Sequence, residues 1–102
     1  YRSGLAIMHY FYILQCKDKT LYCGYTKDLI KREKDHNAGL GSKYVRAHGG
    51  GEIIYSEKFK SLSKALKREA EVKRWTPARK LGLIQSVKKI FSIKPPLGGL
   101  IV

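Results

Sequence analysis

Residues 10–16 read Tyr-Phe-Tyr-Ile-Leu-Gln-Cys, a run of aromatic and branched side chains with almost no polar break. Such a run predicts a buried strand. Lys17-Asp18-Lys19 is a polar turn, and residues 20–25 form a second strand, so the two make a hairpin. The length of the turn decides which side chains share a face. With three turn residues, Cys16 faces Thr20, Leu14 faces Tyr22 and Tyr12 faces Gly24. Tyr12 and Tyr22 then lie on one face of the sheet. This turn requires a left-handed backbone at Lys19. A two-residue turn at Asp18-Lys19 would instead split the tyrosines between the faces. In the first register, Gly24 opposite Tyr12 leaves space for a ligand.

The pattern then changes to a helical period. Thr26 is placed to cap a helix, with Asp28 in the first turn, where the helix dipole favours negative charge. The helix runs to about His36, and Asn37-Ala38-Gly39 stops it. The glycine-rich stretch 39–51 reads as loop. Residues 52–58, with Ile53, Ile54 and Tyr55, read as a third strand. Ser61 or Ser63 opens a second helix that continues to about Trp75, with Leu62, Ala65, Leu66 and Val72 as its apolar stripe. Thr76-Pro77 looks like a cap followed by proline at the first helical position. The third helix turns Leu81, Ile84, Val87 and Phe91 inward, and Gly82 weakens it by roughly a kcal/mol. Pro95-Pro96 ends the ordered part.

The predicted order is strand, strand, helix, strand, helix, helix. It describes an α+β domain with a small three-stranded, mainly antiparallel sheet flanked by helices. Residues 1–8 read as an N-terminal extension with Met8 as a candidate start, residues 9–92 as the domain, and residues 93–102 as a loosely held tail.

Length and composition narrow the function. A chain of 102 residues has room for one modest core. Its 43% hydrophobic and 28% charged content is that of a globular chain and not a disordered one. Lys and Arg number 21 against 8 Asp and Glu, a formal net charge of +13. A compact domain tolerates that self-repulsion poorly unless something uses the field. The usual user is a polyphosphate, so nucleic acid is the expected partner, ahead of an anionic membrane or an acidic protein. Cys16 and Cys23 are too few for a disulfide scaffold or a zinc site, and fit a reduced, cytoplasmic protein. The apolar run 5–14 is too short to span a bilayer and is interrupted by His9. The start lacks the basic, apolar and small-residue order of a secretory signal.

Several polar residues look out of place. Glu69 follows Leu66 by three and Ala65 by four, which sets it on the apolar stripe of its helix. A carboxylate there is costly unless it is paired or binds metal. The plain alternative is an ion pair with Lys73, or a stripe edge that reaches solvent. Arg32 and His36 are four apart and share a face with Leu29. Arg32 is suited to gripping a phosphate with two hydrogen bonds, and His36 to donating one or moving a proton. The plain alternative for Arg32 is a pair with Asp28. Lys27, Lys31, Lys43, Arg46 and Lys73 are candidate phosphate contacts, and Tyr44 is a candidate for stacking on a base.

In sequence order these residues resemble the GIY-YIG nucleases. Tyr10-Phe11-Tyr12 stands where that family carries Gly-Ile-Tyr, and Tyr22-Cys23-Gly24 where it carries Tyr-Ile-Gly. Asp28-Leu29-Ile30-Lys31-Arg32 looks like the family's arginine helix, and Ala65-Leu66-Lys67-Arg68-Glu69 like the stretch with its metal-binding glutamate. From His9 to about Ile84 the chain is similar to the short stand-alone bacterial members, including His36-Asn37-Ala38-Gly39 and Ser42-Lys43-Tyr44. The excision-repair incision nuclease and some homing endonucleases share the domain.

The resemblance implies a DNA, or RNA, endonuclease, working in repair or recombination. It implies one divalent ion, Mg²⁺ or Mn²⁺, held mainly by Glu69. Tyr12 would be the general base or position the attacking water, its phenol brought down by Arg32 and the metal. Tyr22 would support that water or the phosphate, and Arg32 would stabilise the phosphoryl oxygens. A monomer is expected, with specificity left weak or supplied by a protein partner. Two departures matter: Tyr10, Phe11 and Cys23 replace the family's residues at packing positions, which weighs lightly, and the second bears on activity. Many family members carry an asparagine shortly after the glutamate helix, and residues 73–80 contain none. The alternative reading is therefore a nucleic-acid-binding module of the same fold without useful catalysis.

Overall fold

The hairpin pairs Tyr12 with Gly24, Leu14 with Tyr22 and Gln15 with Leu21, as the three-residue turn requires. Lys19 has φ of 76°, the one left-handed non-glycine among the described residues. Its N–H donates to the Cys16 carbonyl at 2.9 Å, and the Cys16 N–H donates to Thr20 at 2.8 Å. Asp18 secures the turn by accepting from both the N–H and the hydroxyl of Thr20.

The computed structural model describes residues 7–93, with backbone alone for 87–93. Its elements are β1 (His9–Cys16), β2 (Leu21–Thr26), α1 (Leu29–Asn37), α2 (Lys43–Ala47), β3 (Gly51–Phe59), α3 (Leu62–Lys73) and α4 (Pro77–Ile93). The sheet order is β2-β1-β3 and both pairings are antiparallel, so "mainly antiparallel" becomes wholly so. A bulge between Ile13 and Leu14 shifts the β1–β3 register, giving β3 one extra residue there.

The central strand is covered on both faces, which explains the unbroken apolar run. Phe11, Ile13 and Cys23 pack on one face with Val72 of α3 and Ile84 of α4. Tyr12, Leu14 and Cys16 pack on the other with Val45 of α2, joined by Tyr22, Leu29 and Ile53. Burying each large apolar side chain contributes about 1.5–3 kcal/mol. Arg68 fastens α3 to the sheet, donating to Glu57 on β3 at 2.8 and 3.0 Å and to Glu71 at 3.0 Å.

The helix starts follow capping chemistry. Ser61 caps α3 by accepting from the Lys64 N–H, and Thr76 accepts from the Arg79 N–H ahead of α4. Four expectations need correction. Asp28 caps α1, accepting from the Lys31 N–H at 3.0 Å, while Thr26 accepts from the Asp28 N–H. The stretch 39–51 is not all loop: Ser42 caps the five-residue α2, which buries Val45. One turn of helix is too short to show a period, and its glycine flanks hid it. Leu62 and Leu81 are exposed, and Leu83 packs on the core beside Ile84 instead. Val87 and Phe91 lie outside the described side chains, and the tail lies outside the described residues.

Candidate active site

Tyr12 projects from the central strand across the edge strand β2. A Cβ placed on Gly24 would lie 2.6 Å from the Tyr12 hydroxyl oxygen and 2.7 Å from Cζ. The space expected for a ligand above Gly24 is therefore filled by the Tyr12 ring itself. The hydroxyl ends 2.8 Å from Nε2 of His36 on α1. Tyr12 and His36 are 1% and 2% exposed, so the pair is buried.

The loop before α2 completes this arrangement. The Ser42 N–H donates to Nδ1 of His36 at 3.4 Å. An acceptor role at Nδ1 puts the proton of the neutral ring on Nε2, to be donated to the Tyr12 oxygen. Burial, reinforced by the Arg32 charge, holds the His36 pKa below its ordinary value and keeps the ring neutral. Gly41 is needed for this approach, because a Cβ there would collide with Nδ1 and Cε1 of the imidazole.

Burial pushes the Tyr12 phenol well above its ordinary pKa, and Tyr22 and Glu69 push it the same way. Arg32 opposes the shift without overcoming it. Arg32 thus fails to bring this phenol toward neutrality, because desolvation outweighs a single nearby cation. Tyr12 is a neutral phenol in the protein as it stands.

The other four expected site residues, Tyr22, Arg32, His36 and Glu69, lie around Tyr12. The rings of Tyr12, Tyr22 and His36 form a triangle with centroids 5.6–6.3 Å apart. Arg32 and Glu69 stand near enough for their charges to act on Tyr12, and the Glu69 charge also reaches Cys23. Arg32 precedes His36 by one turn on the face that carries Leu29. Glu69 comes from α3, between the buried Ala65 and Val72. Tyr22, Arg32 and Glu69 are half-buried, so the charged groups border solvent while the Tyr12–His36 pair lies beneath.

Neither expected ion pair forms, while Glu69 does stand at a half-buried edge of its stripe that reaches solvent. Among the described residues, Arg32 and Glu69 make no ion pair, and Glu69 accepts no hydrogen bond. Nor do three His, Cys, Asp or Glu side chains cluster to cage a metal among those residues. At this site Glu69 offers a half-buried carboxylate with neither oxygen partnered among the described residues. That single hard donor fits a divalent cation that keeps most of its waters, as Mg²⁺ does.

The candidate phosphate contacts lie on several elements. Lys43, Tyr44 and Arg46 lie on α2, Lys27 in the turn before α1, and Lys73 at the end of α3, all exposed. Lys31 is exposed but engages Asp35 at 2.9 Å. The Tyr44 ring stacks on Tyr22 at 5.8 Å and meets His48 at 4.3 Å. His48 is held in turn by Asp18, whose carboxyl falls to about 2 through its contacts with Thr20 and His48. Arg68 is occupied by its carboxylates, and Arg79 lies over the Trp75 ring at 4.0 Å.

Sequence reasoning missed Gly41, the Ser42 N–H and the Asp18–His48 pair. A glycine directly before a serine cap was the available signal for the first two. The third joins residues thirty apart and leaves no local pattern.

Residues 8–81 match the GIY-YIG catalytic domain. The chain is 47% identical over 76 residues to a UPF0213 protein of Staphylococcus saprophyticus, covering 74% of this chain and 93% of that one. It is 42% identical over 80 residues to a UPF0213 protein of Natronomonas pharaonis, covering 78% and 94%. The solution NMR structure of a UPF0213 protein from Bacillus halodurans aligns with a TM-score of 0.50 at 40% identity, covering 76% of this chain and 83% of that one. That of a protein from E. faecalis aligns with a TM-score of 0.52 at 35% identity, covering 90% and 95%. The chain belongs to the GIY-YIG family, a nuclease superfamily, and groups within it with the UPF0213 proteins.

Proposed function

We propose that the protein is a divalent-metal-dependent endonuclease that hydrolyses phosphodiester bonds in DNA. The observation that carries this is the half-buried, unpartnered Glu69 carboxylate, close enough, like the unpaired Arg32, for its charge to act on Tyr12. Membership of a family whose nucleases generally use divalent ions supports it.

Phosphodiester hydrolysis needs an aligned nucleophile and charge compensation on the phosphoryl oxygens. Arg32 supplies a planar fork for two of those oxygens and remains charged when partly desolvated. Tyr22, half-buried beside Tyr12 and His36, donates its hydroxyl to the phosphate or to the attacking water. Tyr12 is suited to orienting that water and not to acting as its base, because burial keeps the phenol protonated. His36 donates Nε2–H to the Tyr12 oxygen, which leaves the phenol's own proton for the site. Glu69 would hold the Mg²⁺ or Mn²⁺ ion. When bound, the ion would offset phosphate charge and polarise the attacked phosphorus.

Lys27, Lys31, Lys43, Arg46 and Lys73 hold the backbone, which the net charge of +13 favours. Two free, buried cysteines fit a reducing, cytoplasmic setting, and among the described residues no helix is long and apolar enough to cross a membrane. The biological setting that fits this chemistry is DNA repair or recombination, with the protein acting as a monomer.

The missing asparagine in residues 73–80 favours one other reading, a binding module without useful catalysis. Incubation with labelled DNA and RNA in Mg²⁺, Mn²⁺ or EDTA separates the two. Cutting that requires the metal establishes the nuclease. Tight, salt-sensitive binding with no cutting establishes the module.

A further inference from the structure

A cavity of about 510 Å³ opens beside the hairpin, bounded by Gln15, Thr20, Leu21, Tyr44, Pro77 and Leu81 and flanked by Lys19 and Lys80. Its volume is in the range of small-molecule sites. Its apolar walls come from three elements: Leu21 of β2, the Tyr44 ring of α2, and Pro77 with Leu81 of α4. Leu81 is 40% exposed and Tyr44 41%, large side chains that folding leaves at the mouth of a cavity. Tyr44 is held in place by Tyr22 and by His48, itself anchored on Asp18.

We propose that this cavity binds one unpaired nucleotide of the strand being cut, base between the apolar walls and phosphate against Lys19 and Lys80. The proposal rests on the nuclease reading for its placement and deepens it by naming the substrate class, a strand with unpaired bases. Three observations carry it.

The first is charge. Another groove, between α1 and β3, is lined by Leu29, Ile30, Ile53, Ile54 and Tyr55, but its only ionic lining residue is Glu33, which accepts from the Ile53 N–H. The hairpin cavity has two lysines and no carboxylate in its lining, which suits a phosphate.

The second is hydrogen bonding. The Gln15 amide has no side-chain partner among the described residues and carries both donors and an acceptor, the pattern that reads the edge of a base. A base paired in a duplex presents neither its flat faces nor its pairing edge to a protein cavity, whereas an unpaired base presents both.

The third is position. Leu21 and Gly24 are three residues apart on the edge strand, about 10 Å. That is the rise of about three stacked nucleotides on one strand. Tyr22 lies between them, stacked on Tyr44 toward the cavity and packed on Tyr12 and His36 toward the candidate active site. One strand running along this edge occupies both.

The test is equilibrium binding in EDTA, where cutting is off, with a labelled single-stranded DNA, a single-stranded RNA of the same sequence, and the DNA duplex. The intact chain is compared with Leu81→Gln and Gln15→Ala, both changes that leave net charge unaltered. Circular dichroism confirms that each variant folds. The expected result is single-strand binding about tenfold tighter than duplex binding, the size of one stacked base. Leu81→Gln removes that margin and leaves duplex affinity unchanged, and Gln15→Ala reduces it. Whichever single strand binds more tightly assigns the sugar. Equal affinity for duplex and single strands overturns the proposal, as does a margin that survives both substitutions. A margin without any metal-dependent cutting leaves the cavity assigned and rejects the nuclease; cutting without a margin does the reverse.

Discussion

The Tyr12 hydroxyl and Nε2 of His36 lie 2.8 Å apart beneath the surface, each the other's buried polar partner. A hydrogen bond in such a place matters mainly through the cost of leaving one side unmade. His36→Phe keeps a ring and removes both nitrogens, stranding the Tyr12 hydroxyl and the Ser42 N–H. Stability falls by about 1–3 kcal/mol for the stranded group. Urea unfolding reads this as a lower midpoint at an unchanged slope.

The same pair predicts how stability varies with pH. The folded protein holds the His36 pKa below 6.5, first by burial and then through Arg32. The unfolded chain takes up a proton near pH 6.5, while the folded chain resists it. Above that pH neither state is charged at this residue and stability is at its plateau. As pH falls from about 6.5 toward the folded value, the unfolded state gains and the protein loses stability. Asp18, held at about 2, stays ionised throughout this window. Urea midpoints from about pH 7.5 to about pH 5.5 should fall more steeply for the unaltered protein than for His36→Phe.

Two glycine substitutions should act with opposite signs. Gly24→Ala drives a methyl into the Tyr12 ring, 2.6 Å from its oxygen, in a site with no slack. Overpacking of this kind costs about 1–3 kcal/mol and displaces the phenol. Gly82 lies within α4 with nothing within 4 Å of an added Cβ. Gly82→Ala should therefore stabilise by roughly 0.5–1 kcal/mol, seen as a higher melting temperature with nucleic-acid binding unchanged.

These contrasts mark what was legible in the sequence. The hairpin register was legible because turn length and side-chain alternation are local, and Lys19 accepted the left-handed backbone the turn demanded. The placement of Glu69 was legible because a charge on an apolar stripe is anomalous by spacing alone, and α3 sets it between the buried Ala65 and Val72. The short α2 was not, since five residues show no period. Leu81 and Leu83 were exchanged because a run of apolar residues fits more than one helical phase, and the described part of α4 turns Leu83 and Ile84 to the core. The protonation of Tyr12 was not legible at all. It depends on how deeply the ring is covered, and Gly24 looked like space for a ligand until the ring was found over it.

Binding should carry the mark of phosphate contacts. Affinity for any duplex or single strand falls linearly with the logarithm of salt concentration. Arg46, exposed on α2 without an ion pair among the described residues, contributes one such contact. Arg46→Ala should weaken binding about equally for all sequences and lower the salt slope by about one.

The most direct test of the central claim is metal-dependent cleavage by Glu69→Gln beside the unaltered protein, on one labelled DNA. The substitution keeps the shape of the side chain and removes its charge. The account predicts cutting in Mg²⁺ or Mn²⁺ that is absent in EDTA and falls by at least about a hundredfold in Glu69→Gln, while DNA affinity in EDTA is kept or rises. Cutting by Glu69→Gln at the rate of the unaltered protein would contradict it.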